Sequence, residues 1–258
     1  MKTVMRTRSV RRSRLRRVVL LSVVGALALT STAYAQVLSP VIAGGPHDMT
    51  TGSALRNSIT AIAGQTCVFC HVPHSGNNLI PLWNRNPPSG GAYQLYTSST
   101  TDVTTTTAQV AASVSGACLS CHDGTIAVDV LLNVNGLPSA GGGTFTRQTT
   151  AKSSYSGTGG GTMSGGLPFL GSDLRNDHPV TVRYETARLA KPAEFVVPVV
   201  AGVKITVGAT DPVPLFGASS ATATIECSSC HNAHSNTLGN FLRKSNAGSA
   251  ICLSCHIK

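Results

Sequence analysis

The chain has few aromatic residues, few charged residues and no long apolar run. Aromatic side chains make up 5% of its 258 residues and charged ones 12%, with only ten acids. The acids are scattered, so the sequence offers no constellation of acid and base groups for catalysis. Beyond the N-terminal region no stretch is long enough to span a membrane, because Phe195 to Gly208 is interrupted by Pro198 and Lys204. With so few aromatics, side chains alone supply little of a core.

The first 35 residues have the pattern of a secretory signal peptide. Met1 to Arg17 is basic, Val18 to Leu29 is a short apolar run, and Ala33-Tyr34-Ala35 resembles a cleavage site. Eight of the twenty basic residues lie in this segment, which leaves twelve against ten acids in residues 36–258. The sequence therefore predicts an exported chain with no membrane span. The net charge of +10 describes the precursor and gives no support to nucleic-acid binding.

No cysteine lies outside a Cys-x-x-Cys-His motif, and the chain has four such motifs. We number them motif 1 (residues 67–71), motif 2 (118–122), motif 3 (227–231) and motif 4 (252–256). This motif attaches c-type haem, since its cysteines form thioethers with the vinyl groups and its histidine ligates iron. Zinc knuckles or a disulfide framework are the alternatives, but neither needs a histidine after the second cysteine.

The motifs therefore predict four covalently attached haem c groups. The attachment residues are Cys67, Cys70, Cys118, Cys121, Cys227, Cys230, Cys252 and Cys255. The iron ligands supplied by the motifs are His71, His122, His231 and His256.

Four histidines remain outside the motifs, one for each motif. They are His47, His74, His178 and His234. The equal numbers predict a histidine on both faces of each iron. Methionine is the other possible axial ligand, but only Met49 and Met163 lie beyond the predicted signal peptide.

His74 and His234 each follow a motif histidine by only three residues. The two axial nitrogens of a haem lie about 4 Å apart on opposite sides of the porphyrin, and so short a link cannot pass around its edge. We therefore expect each to ligate a neighbouring haem and to bring pairs of haems into contact. Either the two histidines exchange between motifs 1 and 3, or each serves the other motif of its own half.

His178 and His47 have different contexts. His178 precedes Pro179, which favours extended backbone, and it lies far from any motif, as expected for a ligand carried by a loop. A surface histidine is the alternative. His47 lies close to the predicted mature N-terminus, where it is either disordered or able to reach a haem of the next molecule. Such a head-to-tail contact continues as a filament unless it closes into a ring.

The sequence predicts a mostly irregular multihaem cytochrome c fold, with the chain wrapped around a haem-nucleated core. We expect a few short helices around the motifs and near residues 126–132, and a strand or two within residues 194–207. Without haem, we expect no folding.

The domain prediction is a signal peptide over residues 1–35 and a tetrahaem domain over residues 36–258. Motif 1 with His74 resembles motif 3 with His234, and each is followed by a Cys-Leu-Ser-Cys-His motif. This repeat suggests two-haem halves, 36–137 and 167–258, joined by a Gly/Ser/Thr-rich loop at 138–166.

Iron with histidine on both faces has no open position for a substrate, so the sequence predicts electron transfer rather than an enzyme. The motif order also resembles that of the outer-membrane cytochrome E family, secreted tetrahaem cytochromes that polymerise into extracellular nanowires. The resemblance is carried by Pro46-His47-Asp48, residues 69–74, Pro81-Leu82-Trp83-Asn84, residues 118–124, Asn176-Asp177-His178-Pro179, residues 226–231 and Phe241-Leu242-Arg243.

The resemblance implies a homopolymer with head-to-tail contacts that conducts electrons to extracellular acceptors such as metal oxides or partner cells. Its electron donors are then redox partners at the cell envelope. By position, the resemblance also implies that His47 ligates a haem of the neighbouring subunit. A monomeric periplasmic tetrahaem shuttle and a haem reductase are the alternatives.

Overall fold

The computed structural model describes every cysteine and histidine of the chain. The described residues are 42, 45–49, 66–88, 93–128, 130–133, 162–163 and 168–258. The predicted signal peptide lies outside them, as does the predicted loop at 138–166 apart from residues 162 and 163. Within the described ranges, no helix is long and apolar enough to cross a membrane.

Within the described ranges, short helices occur at all four motifs and at three further places. The α-helices are α1 (Thr107–Ala111), α2 (Val114–His122), α3 (Tyr184–Ala190) and α4 (Cys227–Cys230). The 3-10 helices are Thr66–Phe69, Ala247–Ser249 and Cys252–Ser254. Only α1, α3 and Ala247–Ser249 lie outside the motifs.

Five short strands form two small antiparallel sheets. In the first, β1 (Val182–Arg183) pairs with β5 (Thr224–Ile225), and Val182 lies opposite Ile225. In the second, the strand order is β2-β3-β4, with Val200 opposite Ile205 and Ile205 opposite Leu215. These strands are β2 (Val199–Ala201), β3 (Lys204–Val207) and β4 (Val213–Leu215). Strands β2 and β3 fall within the segment 194–207 for which the sequence predicts strands.

Helices α1 and α2 begin at side-chain caps and pack closely together. Thr106 and Gln109 form a capping box at the start of α1. The Ser113 hydroxyl accepts a hydrogen bond from the Ser115 N–H at the start of α2, at 3.1 Å. A Cβ at Gly116 would lie 2.2 Å from the carbonyl oxygen of Ala111, so a glycine is needed for the two helices to approach this closely.

The buried apolar side chains form three small clusters. The largest lies around the second sheet and includes Tyr184, Ile205, Val213, Ile225 and Ile251, with Cys230 and Cys255 packed against it. A second joins Val68 and Phe69 of motif 1 to Val128 and Leu131, with Cys70 and Cys121 alongside. The third contains Tyr93, Val110, Ala111, Leu119 and Leu174. Every cluster therefore includes or contacts residues of a motif.

The prediction of a helix near residues 126–132 is wrong. The described residues of this segment form turns and bends. The carbonyl oxygens of Ala127 and Val128 accept hydrogen bonds from Arg85, at 2.9 and 2.7 Å. The N–H of Leu132 donates to the carbonyl of Asn84 at 2.8 Å. The Val130 N–H also donates to the Ala127 carbonyl at 3.0 Å, which closes a turn. The other bonds go to a distant segment, so the turn does not continue as a helix.

The backbone around motif 1 is repeated around motif 3. In each copy the residue after the motif histidine donates its N–H to a carbonyl, that of Leu82 (2.9 Å) or Phe241 (2.7 Å). In each, the carbonyl of the second cysteine accepts from the N–H of Asn84 (2.9 Å) or Arg243 (2.8 Å). Leu82 and Phe241 even share a left-handed backbone, with φ of 58° and 57°. The sequence similarity of these two motifs thus corresponds to the same local structure.

Tyr184 joins motif 4 to the second sheet, and its removal tests that connection. Its hydroxyl lies 2.8 Å from the carbonyl of Val196 and 3.1 Å from that of Cys255, and it donates to them from a buried position. We expect Tyr184→Phe to lower the free energy of unfolding of the haem-loaded protein by about 1–2 kcal/mol, measured by guanidinium titration. Tyr96→Phe, at a tyrosine that is 44% exposed, is the matched control and leaves stability unchanged. Equal effects of the two substitutions would contradict the assignment.

Candidate functional site

Each motif occupies one helical turn. The N–H of His71 donates to the carbonyl of Cys67 at 2.7 Å, that of His231 to Cys227 at 2.9 Å, and that of His256 to Cys252 at 3.0 Å. Motif 2 forms the last turns of α2. Residues three and four positions apart lie on the same side of a helical turn. Both thiols and the imidazole of a motif therefore face one side, as attachment and ligation of one c-type haem require.

Three motif histidines are held by a hydrogen bond from Nδ1 to a backbone carbonyl. They are His71, His122 and His231, and their acceptors are the carbonyls of Pro81 (3.0 Å), Pro168 (2.7 Å) and Asn240 (2.8 Å). A carbonyl oxygen can only accept, so Nδ1 carries the proton and Nε2 keeps its lone pair. This is the tautomer and orientation of an imidazole that ligates a metal through Nε2.

Three motif histidines also lie opposite a histidine from a distant part of the chain. The distances between ring centroids are 6.1 Å for His71 and His234, 6.2 Å for His122 and His47, and 6.4 Å for His256 and His178. Two imidazoles bound to one iron at about 2.0 Å per bond have centroids about 6.2 Å apart. The three separations fit an iron between the rings.

The pKa values of two of these histidines agree with this pairing. Partial desolvation and the nearby rings of His71 and His178 lower the pKa of His234 and of His256, respectively. Arg243 and Lys258 add to the two effects, while Glu194 opposes the shift at His256. A lowered pKa keeps an imidazole neutral, and the neutral form binds metals.

The remaining pair is His74 and His231. Both are exposed, and neither takes part in a ring contact with another histidine of the described chain. In the repeat of motifs 1 and 3, His74 holds the position that His234 holds. Since His234 lies against motif 1, the same relation assigns His74 to motif 3. Of the two arrangements that the sequence leaves open, the exchange between motifs 1 and 3 fits the position of His234.

His47 lies beside motif 2 of its own chain. Its ring is stacked on that of Phe241, with centroids 4.4 Å apart and planes at 14°. Its Nδ1 lies 3.5 Å from the carbonyl of Ala233. In the single chain, His47 therefore lies within reach of motif 2. Ligation of a neighbouring subunit's haem by His47 concerns an assembly and stays a prediction.

Cysteines of motifs 2 and 3 are in contact. The proximity of the Cys118 and Cys227 thiols raises the pKa of Cys118 and lowers that of Cys227. The N–H of Cys227 donates to the hydroxyl of Ser115, three residues before Cys118, at 3.0 Å. These are the first cysteines of their motifs, and α2 packs directly against α4 in this region. The attachment points of motifs 2 and 3 are thus adjacent.

Motifs 1 and 2, and motifs 3 and 4, are adjacent as well. Desolvation and the nearby Cys121 raise the pKa of Cys70 to about 12. Desolvation and the nearby Cys230 raise the pKa of Cys255 to about 12. Motifs that are consecutive in the sequence are therefore neighbours in space, and His234 also brings motif 3 close to motif 1.

A buried donor beside motif 1 fits the acceptors that haem carries. Trp83 is 8% exposed, and its ring lies edge-on to His71 with centroids 5.7 Å apart. Its Nε1 is the one buried side-chain nitrogen or oxygen, among the described residues, that has no hydrogen-bond partner. Leaving such a group unpaired costs about 1–3 kcal/mol. A haem propionate is an acceptor of the kind that this N–H requires.

The arrangement does not fit the zinc alternative. Within the described ranges, no three His, Cys, Asp or Glu side chains converge on a metal site. Structural zinc takes four such ligands, whereas haem iron needs only two from the protein because the porphyrin supplies four nitrogens. Six of the eight histidines lie in pairs, and two protein ligands are the number that haem iron requires.

Sequence reasoning missed the burial of four charged residues around motif 2, one of which is Asp48 at 7% exposure. Arg85 is 1% exposed, Glu226 3% and Asp123 4%. Asp123 accepts hydrogen bonds from the Tyr93 hydroxyl at 2.6 Å and from the Thr125 N–H at 2.8 Å. Asp123 and Glu226 directly adjoin motifs 2 and 3, which is the one signal in the sequence that could have drawn attention to them.

Asn84 fixes the segment that holds His71, and its truncation tests this support. The fully buried amide donates to the carbonyls of Val68 (2.8 Å) and Asn133 (3.1 Å) and accepts from the Asn133 N–H (2.9 Å). We expect Asn84→Ala to lower the free energy of unfolding by about 2–4 kcal/mol, because it removes these bonds and leaves buried groups unpaired. The control is Asn78→Ala, at an exposed asparagine, and the measurement is thermal unfolding of the holoprotein. A loss below about 0.5 kcal/mol in Asn84→Ala would be inconsistent with this role.

The comparisons with known proteins agree with haem attachment. A family model described as "Doubled CXXCH motif" matches residues 220–258, which contain motifs 3 and 4. No curated protein matches the chain. The paired motifs are features of multihaem c-type cytochromes and imply covalently bound c-type haem. The chain thus has the features of a haem-binding electron-transfer cytochrome.

Proposed function

We propose that this chain is an electron-transfer protein with four c-type haems, each held between two histidines. The observation that supports this most strongly is the set of three histidine pairs with ring centroids 6.1 to 6.4 Å apart. Each pair joins a motif histidine to a histidine outside the motifs. The fourth pair, His231 with His74, rests on the repeat of motifs 1 and 3.

Ligation of each iron by two histidines would favour electron transfer over catalysis. When bound, each haem supplies a one-electron couple. Two imidazoles would hold each haem from its two faces and would leave no position for a substrate, and the fixed rings would need no rearrangement when the charge changes. The Nδ1 hydrogen bonds to Pro81, Pro168 and Asn240 hold these rings in place.

The contacts between motifs support a continuous electron path. Helix α2, which carries motif 2, packs against α4 of motif 3, and the N–H of Cys227 donates to the Ser115 hydroxyl of α2 at 3.0 Å. His234, three residues beyond motif 3, lies against motif 1. Electron transfer slows steeply with distance, so attachment points in direct contact favour rapid hopping along the series.

The number of haems is the first test. We expect four haems per chain by the pyridine haemochrome assay, one for each motif. Replacing Cys118 and Cys121 together by alanine should lower the number to three, because thioether attachment at motif 2 is lost. Ser228→Ala changes a motif residue that is not an attachment site and should keep all four. Zinc in place of haem, or an unchanged count in the double variant, would refute the proposal.

The ligand pairs are tested with carbon monoxide. The reduced unaltered protein should not bind it, since both faces of every iron are occupied. His234→Ala should open one haem, that of motif 1, and His178→Ala one haem, that of motif 4. Optical titration counts the open sites, and magnetic resonance of the haem methyl groups identifies them. Carbon monoxide binding by the unaltered protein would instead support the reductase alternative.

We also propose that the chain is exported and polymerises head to tail into an extracellular filament. The resemblance to the outer-membrane cytochrome E family supports this proposal, as does an apolar surface on strand β2 and its turn. Val199, Val200 and Val203 are 59%, 55% and 96% exposed there, and β2 is the edge strand of its sheet. Exposed apolar edge strands are typical assembly surfaces. Envelope proteins are then its electron donors and extracellular oxidants its acceptors.

A monomeric periplasmic shuttle is the second candidate. The position of His47 favours it, because a chain whose own His47 serves motif 2 needs no neighbour to complete its ligands.

Electron microscopy of the purified holoprotein distinguishes the two candidates. Filaments are the expected result, and Val200→Asp should shorten or abolish them by charging the exposed edge strand. Leu189→Asp, at a leucine that is 64% exposed on α3, is the control and should preserve them. Monomers under all conditions would favour the shuttle.

His47→Ala distinguishes ligation between subunits from ligation within one chain. Loss of filaments together with a new carbon monoxide site indicates ligation between subunits. A new carbon monoxide site with filaments retained indicates ligation within one chain.

A further inference from the structure

Helix α2, which carries motif 2, begins at a buried negative charge. The carboxylate of Glu226 accepts hydrogen bonds from the N–H of Ser115 at 3.1 Å, from the Ser115 hydroxyl, and from the Thr224 hydroxyl at 2.6 Å. Glu226 is 3% exposed. It has no cationic partner among the described residues.

The same helix ends at a buried positive charge. The guanidinium of Arg85 donates to the carbonyls of Ser120 (2.7 Å), Ala127 (2.9 Å) and Val128 (2.7 Å), and to the Ser120 hydroxyl (3.2 Å). All these acceptors are neutral, and no carboxylate of the described chain forms a salt bridge with Arg85. At 1% exposure, its charge is shielded from water and counterions.

Helix capping explains the positions of the two charges but not their charged state. A negative group near the start of a helix and a positive group near its end complement the helix dipole by about 0.3–1 kcal/mol. Neutral side chains cap helices at least as well, and Ser113 already does so here. Burying an unpaired charge costs several kcal/mol, so capping alone does not account for both residues.

Both charges lie beside motif 2, and they differ in the second motif that each adjoins, which is motif 3 for Glu226 and motif 1 for Arg85. Glu226 directly precedes motif 3, and its charge acts on both Cys118 and Cys227, where motifs 2 and 3 meet. Arg85 acts on Cys70 of motif 1 and is bonded to Ser120 of motif 2. Asp123 and Asp48 are buried as well, but Asp123 adjoins His122 and Asp48 follows His47 beside it, so both lie nearest motif 2. Arg243 donates to the carbonyl of Ser228 in motif 3 at 2.7 Å, but it is exposed and its charge is screened by water.

We propose that Arg85 and Glu226 set a gradient of reduction potential along the haem series. Reduction adds one electron to an Fe(III) centre and lowers its charge by one. Arg85 therefore stabilises the reduced state at motif 1, and Glu226 stabilises the oxidised state at motif 3. In the low-dielectric interior of a protein, fixed charges act strongly on neighbouring groups. The gradient favours electron flow from motif 3 towards motif 1. This inference rests on the proposed function, since it requires haem at these motifs.

The test is a redox titration of each haem in the holoprotein, followed by the magnetic resonance signals of its methyl groups. Glu226→Gln keeps the size and an acceptor oxygen but removes the charge. At a fixed ambient potential, we expect it to raise the ratio of reduced to oxidised haem at motif 3 about tenfold, or about 59 mV for one electron. Arg85→Gln should shift motif 1 in the opposite direction by a similar factor, whereas Arg85→Lys keeps the charge and should shift it little.

Arg175→Gln is the matched control, because this arginine is 59% exposed and pairs with Asp173 in solvent. It should leave all four titrations unchanged. Shifts of the same sign in Glu226→Gln and Arg85→Gln, or lower stability without a shift, would overturn the gradient and leave both residues as structural caps. If the Arg85→Gln variant does not fold with its haems, Glu226→Gln and Arg85→Lys still test whether the two charges set the reduction potentials. If the variants hold four haems, bind no carbon monoxide and show no change in reduction potential, this inference alone is overturned. If the unaltered protein holds fewer than four haems, the proposed function is overturned.

Discussion

An imidazole presents one nitrogen lone pair to a metal, and the rest of the structure depends on where eight such rings are held. In three motifs, a hydrogen bond from Nδ1 to a carbonyl fixes the ring and leaves Nε2 free. The facing rings come from remote segments, so His234 joins motif 3 to motif 1 and His178 joins the central region to motif 4. The three ring pairs thus connect segments that are far apart in the sequence.

The scarcity of regular structure follows from the same requirement. Carbonyls that would pair with helical or strand N–H groups instead accept from side chains, as those of Pro81 and Asn240 do from histidines and those of Ala127 and Val128 from Arg85. Backbone groups bonded in this way are satisfied without a ladder. The apolar clusters stay small because each surrounds a motif, and the sulfur atoms of the motifs are among their members.

Features encoded locally were predictable from the sequence, whereas features that depend on distant contacts were not. The spacing of each motif forces one helical turn, and the three-residue link after His231 already implied that His234 must face another motif. Residues 126–132 look helical in isolation. Their backbone groups instead form hydrogen bonds with Asn84 and Arg85, which lie more than thirty positions earlier in the chain. Charged residues are mostly exposed, so no local pattern indicated that Arg85 and Glu226 are buried. The haem-nucleated core stays a prediction.

The position of His47 reconciles the single chain with a polymer. Its ring contacts Phe241 and lies opposite His122, so its binding site is formed by residues near motifs 2 and 3. Every copy of the chain offers the same site, and His47 of a neighbour would form the same contacts there. Exchange of an identical element between copies therefore changes few interactions and is a low-cost route to assembly. Protein concentration and the remaining contact surface, including the exposed valines of β2, then determine whether His47 stays within its chain or links it to the next.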